Sequence, residues 1–150
     1  MKRIIAIDPG ADGGLAWSKF GHAYCCRMPA TLGDLVAALR ALYAAGYQTA
    51  VVEKVVGFIP GGGAGAMFSF GQNFGQIQGA LQGLLFRVIE VRPQEWQKAL
   101  QLGDKGSQSQ GQWKNKLKAE AQRRFPEIEV TLKTADALLL LDYARNHARL

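Results

Sequence analysis

The sequence predicts an α/β domain with a central mixed five-stranded sheet flanked by helices. One short β-branched run and two further short runs fall within the first thirty residues, punctuated by turn signals. Further on, stretches with helical spacing alternate with two more short apolar runs, the pattern of crossover connections. Finally, Asp8, Glu53 and Asp136 each stand at the end of an apolar element.

Arg3 to Ile7 reads as a buried strand, and Pro9-Gly10 and Gly13-Gly14 punctuate the chain after it. Leu15 to Ser18 and His22 to Met28 read as two more strands, antiparallel and joined near Phe20-Gly21. Thr31 to Ala45 has Leu32, Leu35, Val36, Leu39, Leu42 and Tyr43 at helical spacing, with Thr31 and Asp34 as its start and Gly46 as its stop. Thr49 to Glu53 is then a strand parallel to the first, because a helix crosses between them. Val56 to Gly65 reads as a glycine-rich loop. Phe68 to Leu85 resumes helical spacing, with Gly71, Gly75, Gly79 and Gly83 along one face. Each glycine costs a helix about 1 kcal/mol, so close packing on a sheet or a second helix is expected there. Arg87 to Val91 is the fifth strand, and Pro93 to Leu100 a short helix opened by proline. Residues 102–112 read as a polar loop, Trp113 to Phe125 as a basic helix, and Thr134 to Arg149 as the last helix.

With 150 residues, 48% of them hydrophobic and 20% charged, the chain fits one globular domain with a sizeable core. A net charge of +6 favours an anionic partner. The adjacent Cys25 and Cys26 point to opposite faces of a strand, and no second pair exists for a zinc site. A reduced, cytoplasmic setting is expected. The start, Met1-Lys2-Arg3, precedes an apolar run too short for a signal peptide, and no stretch approaches the roughly 20 apolar residues of a membrane span.

A charged group at the tip of a buried strand costs several kcal/mol unless a partner compensates. Asp8, Glu53 and Asp136 therefore point to a shared partner, and a divalent cation held by oxygen ligands is the natural one.

The chain resembles the RNase H-like superfamily and, within it, RuvC-type Holliday-junction resolvases, especially the compact phage-type members. The resemblance runs through Ile7-Asp8-Pro9-Gly10 with Gly14, Val52-Glu53-Lys54-Val55, and Phe70-Gly71 with Gly75. It continues through Val91-Arg92-Pro93-Gln94-Glu95-Trp96-Gln97-Lys98-Ala99-Leu100, Leu117 to Pro126, and Ala135-Asp136-Ala137-Leu138-Leu139. The first motif alone is shared with actin-like ATPases, but the chain is far too short for their two-lobed site. The resemblance implies four-way DNA junctions as substrate, a homodimer, and phosphodiester hydrolysis with two Mg²⁺ ions, Mn²⁺ being the alternative. It also implies a cytoplasmic, nucleoid-associated protein of a bacterial or phage-infected cell. Asp8, Glu53 and Asp136 would be the catalytic and metal-binding acids, with Asp8 bridging. Two ions about 4 Å apart can activate a water and stabilise charge on the phosphate and leaving oxygen.

One position departs from the family pattern. A fourth ligand, Asp or His, usually stands one helical turn before the last acid; here it is Lys133. Asp142, rotated by about 120° from Asp136 at ~3.6 residues per turn, is poorly placed to substitute. Lys133 therefore joins the catalytic candidates, with three readings open. It points to solvent, it pairs with Asp136 or the scissile phosphate, or the second ion relies on more water.

Lys98, Lys105, Lys114 and Lys118 lie in a basic stretch suited to phosphate contacts, and Lys54 and Arg92 are further DNA-binding candidates. Phe58 is the first candidate for stacking on an unpaired base at the junction centre, and Phe68 the second, with burial in the core as the competing reading. The glycine-faced helix is the candidate dimer surface. Two alternatives stand beside the resolvase reading: another RNase H-fold nuclease acting on branched DNA or hybrids, and a junction-binding protein with weak cleavage.

Overall fold

The computed structural model describes residues 2–54 and 61–150; Phe58 lies outside the described residues. In chain order the elements are β1 (Ile4–Asp8), β2 (Gly14–Lys19), β3 (His22–Arg27), α1 (Leu32–Ala44), β4 (Thr49–Glu53), α2 (Ala64–Gly83), β5 (Arg87–Val91), α3 (Pro93–Ala99), α4 (Gln110–Arg124) and α5 (Ala135–Asn146). The strands form one sheet in the order β3-β2-β1-β4-β5. β1, β2 and β3 pair antiparallel, whereas β1 with β4 and β4 with β5 pair parallel. This is the expected mixed five-stranded sheet, with β1 at its centre.

Two apolar layers cover the sheet. Ile5, Ile7, Leu15, Ala50 and Val52 face one layer together with Leu35 and Leu39 of α1 and Ile77 and Leu81 of α2. Ile4, Ala6, Ala16 and Val51 face the other, against Trp96 of α3, Leu117 of α4 and the buried run 137–141 of α5. Strand alternation puts Asp8 on the same face as Ala6, and Glu53 on the same face as Val51. Both acids therefore point toward the α3–α4–α5 layer. In register, Ile7 pairs with Val52, so Asp8 and Glu53 emerge side by side at the carboxyl ends of two parallel strands. Ligands of open α/β sheets gather at that end.

The structure differs from these expectations at four points. α4 begins at Gln110 rather than Trp113, because the Ser109 hydroxyl accepts from the Gln112 N–H and the Gln112 side chain accepts from the Ser109 N–H. That capping box lay in the stretch read as loop. α2 begins at Ala64, four residues before Phe68. Among the described residues its glycine stripe has no close neighbour: a Cβ added at Gly71, Gly75, Gly79 or Gly83 would meet nothing within 4 Å there. The buried side of α2 is instead formed by Ile77 and Leu81, and Phe68 is 73% exposed rather than in the core. Among the described residues, no helix is long and apolar enough to cross a membrane.

Candidate active site

β1 delivers Asp8, which is 9% exposed, and the first turn of α5 delivers Asp136, 4% exposed. Glu53 closes β4, and the indole N–H of the fully buried Trp96 donates to its Oε2 at 2.8 Å. Trp96 sits there because Pro93 opens α3 directly after β5, which lies beside β4. The loop after β1 is held by α2: Asn73 Oδ1 accepts from the Gly10 N–H at 2.8 Å, and the Phe70 ring lies against Gly10. A Cβ at Gly10 would come within 2.7 Å of that ring, and its φ of 103° already favours glycine. Asp8, Gly10, Asp12, Glu53, Phe70 and Lys114 line a cleft of about 520 Å³. Concavities at the opposite end of the strands are lined by Lys2, Arg3 and Lys19 or Arg87 and carry none of these acids.

The electrostatics are those of a site short of positive charge. Burial, then repulsion from Asp136 and Glu53, pushes the Asp8 carboxyl well above the usual carboxylate range. Burial and Asp136 push Glu53 up to about 7, against the opposing pull of the Trp96 hydrogen bond and Lys114. The cation among these acids is Lys114, whose ammonium pairs with Asp136 Oδ2. The attraction of Asp136, Asp8 and Glu53 outweighs burial and raises the lysine above its ordinary value. Asp136 Oδ1 is buried without a hydrogen-bond partner among the described residues. Among the described residues, no three acidic, histidine or cysteine side chains converge as a ready-made metal cage. The donors nevertheless fit a hard cation: they are carboxylate oxygens, they repel one another, and one of them is orphaned in the interior.

The other predicted residues lie at varied distances from this centre. Lys133 turns to Asp12, with Nζ 3.3 Å from Oδ1, and leaves the pairing with Asp136 to Lys114. Lys114, expected on a DNA-facing helix surface, thus reaches into the cleft. Lys118, one turn further along α4, is half-buried in a neighbouring groove. Lys54 is exposed and 3.7 Å from Glu90, while Arg92, Lys98 and Lys105 are exposed outside the cleft. Sequence reasoning gave no role to Trp96, Asn73 or Asp12. Trp96 stood inside a quoted motif, but only the fold brings its N–H to Glu53.

No protein-family model matches the chain, and no curated protein matches it in sequence. Solved structures do match. A Thermus thermophilus RuvC structure superposes with a TM-score of 0.58 at 17% identity, over 95% of each chain. A structure of T. thermophilus RuvC in complex with a Holliday junction substrate superposes with a TM-score of 0.60 at 17% identity, over 98% of this chain and 97% of that one. At that identity the likeness is one of architecture: this chain has the RuvC-type, RNase H-like fold.

Proposed function

We propose that the chain is a structure-specific endodeoxyribonuclease that resolves four-way DNA junctions by metal-dependent phosphodiester hydrolysis. The observation that carries this reading is that Asp8 and Glu53 end adjacent parallel strands while Asp136, in the first turn of α5, lies near enough to repel both. The fold shared with a RuvC bound to a Holliday junction supports the choice of substrate.

Asp8, Glu53 and Asp136 would hold Mg²⁺ or Mn²⁺, one ion or two. When bound, the metal would supply Lewis acidity and an activated water. The chain's own contribution is preorganisation. Trp96 fixes one oxygen of Glu53 and leaves the other for an ion. Asn73 and Phe70 hold the loop that follows Asp8. Lys114 keeps positive charge beside the acids and lines the cleft where a phosphate would lie.

A junction has approximate two-fold symmetry, so a two-fold dimer presents one site to each of two strands. The outward glycine stripe of α2, flanked by exposed Phe68 and Leu85, supports α2 as the dimer surface.

Lys133 favours a second reading, junction binding with weak cleavage, since it stands where a fourth ligand is expected and faces Asp12. One assay separates the readings. Labelled four-way, three-way and linear DNA are incubated with the protein, with and without Mg²⁺ or Mn²⁺. Paired symmetric nicks in the four-way junction, lost in Asp8→Asn, support the resolvase. Single cuts elsewhere point to another RNase H-fold nuclease, and binding without metal-dependent cuts to the second reading.

A further inference from the structure

Beside the active-site cleft lies a second groove of about 610 Å³. Its cations come from separate elements: Arg27 ends β3, Lys118 lies on α4, and Lys133 precedes α5. Glu129 is the acid on its wall. The elements meet closely. Gly14 pairs with Arg27 in register, and a Cβ at Gly14 would fall 2.7 Å from the Lys133 carbonyl oxygen. The missing side chain lets the segment before α5 lie directly on the edge of β2, which sets Lys133 beside Arg27.

Groove and cleft are connected. Lys114 and Lys118 are four apart on α4 and share a face, so a row of ammonium groups leads from Asp136 into the groove. On the other side, Lys133 pairs with Asp12, which lines the cleft. Asp12 is 94% exposed, so this ion pair is weak and solvent-screened, and a phosphate oxygen can replace the carboxylate. An acid at position 133 would repel a phosphate there; the lysine attracts it.

We infer that this groove is the track for the DNA strand next to the scissile phosphate, with Arg27, Lys118 and Lys133 as its phosphate contacts. The inference rests on the nuclease reading and gives Lys133 a place in strand binding rather than at the metal centre.

The test is a salt titration of binding to a labelled four-way junction, read by fluorescence anisotropy in EDTA. Each lost phosphate contact lowers the slope of log K against log salt by about 0.9. Arg27→Gln, Lys118→Gln and Lys133→Gln should each lower it by about that amount, and Lys133→Arg should restore it. Lys19→Gln and Arg87→Gln, at the opposite end of the strands, serve as charge-matched controls. Groove variants that change the slope no more than these controls overturn the track, while the nuclease reading survives if wild type still cleaves junctions. Wild type with no preference for branched DNA overturns the junction reading instead, and the same slopes on linear duplex then decide the groove.

Discussion

The ammonium of Lys114 lies against the buried carboxylate of Asp136, filling with a side chain the place where the acids call for a cation. A metal ion bound there would compete with the lysine for the same oxygens. Removing one partner of a buried pair costs about 3–5 kcal/mol. The Lys114 side chain is 38% exposed, so Lys114→Met should cost the metal-free protein less, roughly 2 kcal/mol. Mg²⁺ or Mn²⁺ should recover more stability in Lys114→Met than in wild type. Thermal melts with and without the ion measure both.

Proton linkage gives a second expectation. Glu53 titrates near 7 in the folded chain against an ordinary 4.5, so between those values the folded state binds more protons than the unfolded one. Stability without metal should therefore fall as pH rises through that window, by a total on the order of 3 kcal/mol for a shift of that size. Asp8, raised in the same direction, adds to the trend. Denaturant midpoints across the window check this. Glu53→Gln should flatten the curve, and saturating metal should flatten or reverse it.

Trp96→Phe keeps a ring in the core and removes the donor to Glu53 Oε2. Partners that orient metal ligands typically matter by 10–100-fold in metal affinity or activity. We expect the Mg²⁺ dependence of cleavage to shift to higher concentration by about that factor, with junction binding in EDTA unchanged. An unshifted metal curve would remove Trp96 from the site.

The glycines of α2 allow opposite effects to be separated. Gly75→Ala meets no neighbour among the described residues and should raise the stability of an isolated subunit by up to about 1 kcal/mol. If this face closes a dimer, the added methyl group should weaken association at the same time. Sedimentation velocity on Gly75→Ala and Gly75→Leu tests this. Unchanged self-association in both would move the dimer surface elsewhere.

Much of this was legible in the sequence because local and global signals agree there. The β-branched run before Asp8, the crossover helix before β4 and the unbroken apolar run after Asp136 each have one good solution on a sheet. The acids were readable as a trio because each marks the end of such an element. Lys114 was not: in sequence it is one cation among many on a basic helix, and only the packing of α4 on α5 selects it for Asp136. The glycine stripe was only half legible for a related reason: its close packing was expected on a sheet or second helix as well as at a dimer surface. Small residues report that something approaches closely, but not whether it belongs to the same chain.

Asn73 and Phe70 grip the turn after Asp8, and both belong to the helix whose other side carries the open stripe. A subunit docking along α2 would thus press on the same helix that holds the turn after Asp8. Occupancy by a neighbour would then be felt two residues from Asp8, and any turnover per chain should climb with protein concentration.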